Sequence, residues 1–142
     1  MFIIRKFMPQ RGKQSGFTLI ELLIVIVIIG LLASLVAPEM FSKIGSSKMS
    51  TAKVQMQMFE TSLDTYFLDT GQYPKDLQEL KNSNKKGWDG PYLKKSIPLD
   101  PWGNPYILVV PGPDGIPYLL SSLGRDGANG GTGEDEDIEV GR

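Results

Sequence analysis

The chain has 142 residues, a formal net charge of −1, and neither cysteine nor histidine. That length leaves room for one small domain beyond a membrane helix, and near-neutral charge speaks against a general nucleic-acid binder. No disulfide can form, no thiolate or imidazole can serve as nucleophile, base or ligand, and any metal would be a hard cation held by oxygen.

Arg5, Lys6, Arg11 and Lys13 form a basic leader without an acidic residue, ending in Ser15-Gly16. Phe17 to Ala37 follows, 21 residues in which only Thr18, Glu21 and Ser34 are polar. At about 1.5 Å per residue a helix of that length spans about 31 Å, the depth of a bilayer core. An ordinary secretory signal has a shorter apolar region and a small-x-small cleavage site; a cut after Ala37 would put Leu35 at the upstream small position. The basic leader predicts residues 1–16 on the cytoplasmic side and the rest of the chain facing the periplasm.

Glu21 is the only charged residue between Lys13 and Glu39. A carboxylate in a membrane segment costs about 2.5–3.5 kcal/mol at a helix centre and less near an interface, so such a residue implies a partner.

From residue 17 to about 69 the pattern predicts one long helix, its first half apolar all round. Gly30 is a weak helix former and Pro38 lacks a donor, so both interrupt it. Beyond Pro38 the segment is amphipathic: Ala52, Met56, Phe59, Leu63 and Phe67 share one face, which predicts packing on a small sheet. Gly71 and Pro74 end the helix. Lys75–Lys81 reads as a short helix with Leu77 and Leu80 inward. Residues 82–105 read as a long structured loop whose Trp88, Tyr92 and Trp102 cover the core. Tyr106–Val110 and Tyr118–Leu123 read as an antiparallel hairpin joined by Pro-Gly-Pro-Asp-Gly-Ile-Pro. The tail is an acidic, glycine-rich loop with a last strand around Ile138–Val140. The fold class is therefore α+β, a long helix on a small antiparallel sheet with a loop-rich C-terminal region.

Gly16-Phe17-Thr18-Leu19-Ile20-Glu21 resembles the processing site of type IV pilins and pseudopilins. The resemblance implies that a prepilin peptidase cuts between Gly16 and Phe17 and methylates the new amino terminus on Phe17. It divides the chain into a cleaved leader (1–16), a transmembrane and filament-core helix (17–38) and a pilin-like periplasmic domain (39–142). Methylation keeps the α-amine cationic, so Glu21 of one subunit can pair with the Phe17 amine of a neighbour. A buried pair fixes register because either partner left alone is costly. Glu21 thus reads as an assembly pin. The family also implies that the stretch between Gly30 and Pro38 can unwind when the filament forms.

Asp100-Pro-Trp-Gly-Asn-Pro-Tyr106 and Ser122-Leu-Gly-Arg-Asp-Gly127 resemble the globular domain of the major pseudopilins of type II secretion, and the missing cysteines tilt the reading away from type IV pilins, which usually close their last loop with a disulfide. The implied function is that of a structural subunit, not an enzyme, in the bacterial inner membrane. It polymerises into a helical filament that drives folded proteins across the outer membrane. The implied partners are further copies of the chain, minor pseudopilins, an inner-membrane assembly platform with its cytoplasmic ATPase, and prepilin peptidase. A type IV pilin, or a single-pass membrane-anchored periplasmic enzyme or binding protein, is the alternative.

The family stabilises its C-terminal loop with calcium. Asp126, Asp135 and Asp137 are hard oxygen donors, glycines 127, 130, 131 and 133 let carbonyls turn inward, and the Leu123 carbonyl is a further candidate. Neither an EF-hand nor a nonapeptide calcium repeat fits: Ala128 or Val140 stands where an EF-hand needs a ligand or glycine, and Asp137 occupies the repeat's apolar position.

Overall fold

The computed structural model describes residues 16–141. Of the leader, only Gly16 lies within them. The chain divides into two compact units, with the boundary between Glu39 and Met40.

Helix α1 runs from Leu19 to Thr70, 52 residues. It starts where the sequence supplies a capping box. Thr18 is the N-cap: its hydroxyl accepts the Glu21 amide at 3.2 Å, and Glu21 Oε2 accepts the Thr18 amide at 2.8 Å. Two of the amides that open every helix are thereby satisfied reciprocally. In the first unit, large apolar side chains from Leu19 to Val36 are exposed around the helix. Such a surface needs lipid or neighbouring helices around it. Gly30 and Pro38 do not break the helix, contrary to the expectation that they interrupt it. One proline removes one donor from a long ladder, and the flanking residues keep helical geometry.

In the second unit α1 buries Ala52, Met56, Phe59, Leu63 and Tyr66. The expected stripe is met except at its end, where Tyr66 is wholly buried and Phe67 is 40 % exposed. A 3.6-residue period allows either i+3 or i+4 after Leu63, and a tyrosine facing inward can bond its hydroxyl. Tyr66 donates to Glu79 Oε2 at 2.6 Å and lies 3.2 Å from Ser83 Oγ. Phe67 instead stacks on Tyr73, ring centres 4.7 Å apart. Gly71 adopts φ +77° and its amide returns to the Phe67 carbonyl at 2.8 Å, the left-handed cap that stops the helix.

A 3-10 turn at Leu77–Leu80 follows, capped by Asp76, with both leucines inward. The loop beyond it is tied down by its aromatics. Trp88 Nε1 donates to the Glu79 carbonyl at 3.1 Å, and the Tyr92 hydroxyl donates to Asp69 Oδ2 at 2.8 Å. Strands β1 (Ile107–Val109), β2 (Leu119–Ser122) and β3 (Ile138–Gly141) form one antiparallel sheet in the order β1-β2-β3. Leu108 pairs with Leu120, and Leu120 with Val140. Tyr106, Tyr118, Leu120 and Ile138 complete the core with α1. Each large side chain so buried contributes about 1.5–3 kcal/mol.

Candidate functional site

The site residues expected from the sequence fall in two places: the start of α1 and the loop between β2 and β3.

At the first, Gly16 and Phe17 precede the helix outside any regular element; Phe17 is 85 % exposed and nothing stands within 4 Å of where a Cβ on Gly16 would be. The peptide between them is open to a protease. Two residues later the capping box begins, and there Glu21 Oε2 also accepts the Thr18 hydroxyl at 2.8 Å. The carboxylate thus has a partner within its own chain, which the reading of Glu21 as an assembly pin alone did not include. Thr-x-x-Glu before an apolar run is a capping signature, so Thr18 was legible from the sequence and was missed.

The second place is the segment from Leu123 to Asp137. Its base is closed by the Arg125 amide donating to the Glu134 carbonyl at 2.8 Å. Gly124, Gly127, Gly130, Gly131 and Gly133 all have positive φ. At Gly131 the need for glycine is steric as well: a Cβ would lie 2.3 Å from the Asp135 carbonyl oxygen.

The three aspartates are held differently. Asp126 Oδ1 accepts the Ala128 amide at 3.1 Å. Asp137 Oδ2 accepts the Gly130 amide at 2.8 Å, while its Oδ1 is buried without a hydrogen-bond partner. Asp135 is gripped by Arg125 in a two-pronged pair, Nε to Oδ1 at 2.8 Å and Nη2 to Oδ2 at 2.9 Å. That carboxylate holds the Arg125 guanidinium above its ordinary pKa, first through the hydrogen bond and then through its charge.

No group of three or more carboxylates capable of holding a metal occurs among the described residues. A cation in this loop would have to draw most of its oxygens from backbone carbonyls, as calcium often does. The orphaned Asp137 Oδ1 fits that role, because a buried acceptor without a donor is costly unless something positive meets it.

Three residues outside the loop touch it and a fourth holds the strand residue just ahead of it; none of them was assigned a place at the loop from the sequence, Trp102 being expected only as a cover for the core. Trp102 Nε1 donates to Glu134 Oε2 at 3.0 Å, and Gly45 of α1 lies against the same carboxylate. Asn104 Nδ2 donates to the Gly124 carbonyl at 2.8 Å. Asp100, 4 % exposed, accepts the Ser122 hydroxyl on Oδ2 at 2.7 Å. The Asp-Pro-Trp-Gly-Asn string was noticed as a resemblance, but its contact with residues 20 to 32 positions away has no local sequence signal.

Family models match the stretches that contain both places. The family described as type II secretion system (T2SS), protein G matches residues 39–141, and the prokaryotic N-terminal methylation motif matches residues 11–37. The type II secretion system core protein G of Pseudomonas aeruginosa is 46 % identical over 139 residues, covering 91 % of this chain and 96 % of that protein. Its counterpart in Escherichia coli K12 is 41 % identical over 136 residues, covering 87 % and 90 %. Among solved structures, the major pseudopilin from the type 2 secretion system of enterohaemorrhagic Escherichia coli superposes with a TM-score of 0.53 at 29 % identity, covering 66 % of this chain and 86 % of that one. With a methylation motif at the head of the helix and the family's domain over nearly all that follows, the chain belongs to the protein G family of type II secretion, the major pseudopilins.

Proposed function

We propose that this chain is the major structural subunit of a type II secretion pseudopilus, anchored by α1 in the inner membrane with residues 39–142 in the periplasm. The observation that carries the reading is the exposed Gly16-Phe17 junction two residues ahead of a capped helix whose first half is apolar on every side.

Prepilin peptidase cleaves the Gly16–Phe17 peptide bond, and Phe17 gains an α-amine that is N-methylated. The amine stays cationic at neutral pH, since its ordinary pKa is about 7.7–8.0. In the bilayer, lipid covers the apolar side chains of residues 19–36. During assembly the same side chains exchange lipid for neighbouring helices, so little apolar burial is lost or gained. Direction and register then rest on polar terms, of which Glu21 against a neighbour's Phe17 amine is the strongest. Other copies, minor pseudopilins and an inner-membrane platform are the partners, and work on the filament moves folded proteins outward.

In the loop, the Asp126 and Asp137 carboxylates and the Leu123 carbonyl would hold calcium. Bound there, the ion supplies the positive charge that Asp137 Oδ1 lacks and ties the two ends of the loop together. Asp135 would join the set only by giving up Arg125.

Intact mass of the protein extracted from its host membranes tests the central claim. Loss of residues 1–16 with one added methyl group is expected. A chain that still begins at Met1 would mark a plain membrane anchor and end this reading.

A further inference from the structure

Leu123, the backbone oxygen donor in the proposed ion loop, lies between two residues held from the same turn. Ser122 on one side donates its hydroxyl to Asp100 Oδ2 at 2.7 Å. Gly124 on the other gives its carbonyl to Asn104 Nδ2 at 2.8 Å. The turn is itself rigidly closed. Asp100 Oδ1 accepts the amides of Trp102 at 3.1 Å and Asn104 at 2.8 Å, and the Asp100 amide donates to the Asn104 carbonyl at 2.8 Å. Gly103 inside it takes φ +94°, a conformation open to glycine. Asp100 and Ser122 are buried, so exchange of their bond for water is obstructed.

We infer that Asp100 and Asn104 are positioning residues of the ion loop: by gripping Ser122 and Gly124 they fix the backbone at Leu123 before any ion arrives. Flexible carbonyl donors bind a cation weakly because each must be ordered at the moment of binding. Donors already ordered by outer partners avoid that entropy, and loss of such partners lowers metal affinity about 10–100-fold. The same turn reaches the far end of the loop through Trp102 and Glu134. One five-residue turn therefore orders the loop near both its entry and its exit.

The inference rests on the proposed calcium loop, and one experiment separates the two. Calcium chloride is titrated calorimetrically into the full-length chain in detergent micelles, for the wild type, Asn104→Ala, Asn104→Leu and Ser122→Ala, with Asn84→Ala as a control away from the loop. Melting without calcium is recorded for each. Wild-type binding is expected, with the affinity of all three test variants lowered about tenfold or more, the control unchanged, and the calcium-free melting temperature of the Asn104 variants close to wild type. If the wild type binds and the variants bind equally well, positioning is refuted while the ion site stands. Lower melting temperatures with unaltered affinity also refute it, since that pattern belongs to packing alone. If the wild type binds no calcium at millimolar concentration, the ion site and the inference fall together.

Discussion

Gly45 of α1 and Glu134 of the acidic loop approach so closely that a methyl group at position 45 would lie 2.7 Å from Glu134 Oε1. The other oxygen of that carboxylate holds the Trp102 indole at 3.0 Å. Helix, loop and tryptophan thus meet at a point where a Cβ would displace the Glu134 carboxylate. A glycine-to-alanine change in a helix ordinarily stabilises by about 1 kcal/mol. Here Glu134 must swing away and release Trp102, and a hydrogen bond to a charged group contributes about 1.5–3 kcal/mol. We predict that Gly45→Ala is net destabilising by about 1 kcal/mol in urea, and that in a Trp88→Phe background the emission of Trp102 shifts. A more stable variant with unchanged emission would contradict the contact.

Tyr106 is the group expected to limit stability in alkali. Its ring meets Phe59 edge-on with centres 5.1 Å apart, and its hydroxyl donates to Gln55 Oε1. Burial, aided by the charge of Asp100, pushes the phenol well above its ordinary range. Burial likewise raises Tyr66 and Tyr92. A group whose folded pKa is raised contributes stability that is complete below its unfolded value, about 10, and is lost as pH climbs from there toward the folded value. Stability should therefore hold to about pH 10 and then fall. Absorbance of tyrosinate should rise late and together with unfolding, and Tyr106→Phe should flatten the fall while costing about 1 kcal/mol at neutral pH through the unpaired Gln55. Early, independent titration of all the tyrosines would show these rings to be open to water.

Much of this was legible along the chain because the signals were local. The helix face, the Gly71 stop, the short turn bearing Leu77 and Leu80, and the hairpin all follow from periodicity and turn residues within a few positions. Phe67 was misread because spacing cannot choose between i+3 and i+4; what decides is a partner for the Tyr66 hydroxyl, 13 residues away at Glu79. The same limit hid the Asp100 turn. Its residues look like loop chemistry until the fold brings Ser122 and Gly124 against them. Glu21 was recognised by its isolation, yet its bond to Thr18 was overlooked although the spacing displayed it.

Arg125 competes with any cation for Asp135. It grips both oxygens of that carboxylate and places a permanent positive charge at the loop's base. Arg125→Gln should free Asp135 and remove like-charge repulsion, while the Arg125 amide still closes the loop on Glu134. Calcium is expected to bind several-fold tighter to this variant, and the difference should shrink as salt rises, since Arg125 is mostly exposed. Calcium should raise the melting temperature of the unaltered chain, and Asp126→Ala should abolish that rise. Weaker binding by Arg125→Gln would mean that the pair orders the loop more than it repels the ion.

Glu21 caps its own helix, and in the proposed filament it would also pin a neighbour; substitution can separate the two. As a cap it needs only an acceptor for the Thr18 amide and hydroxyl; as a pin it needs a charge. Glu21→Gln keeps the acceptor and removes the charge, Thr18→Ala keeps the charge and removes the N-cap, and Glu21→Ala removes both. Loss of an N-cap costs about 1 kcal/mol, enough to fray the first turn but not to empty the membrane of subunits. Cleavage after Gly16 should survive in all three, because the scissile peptide lies outside the helix. Filaments sheared from cells and quantified by immunoblot should be nearly absent for Glu21→Gln and Glu21→Ala and only reduced for Thr18→Ala. If Glu21→Gln assembles as well as wild type while Thr18→Ala does not, capping rather than charge is what the carboxylate supplies to assembly.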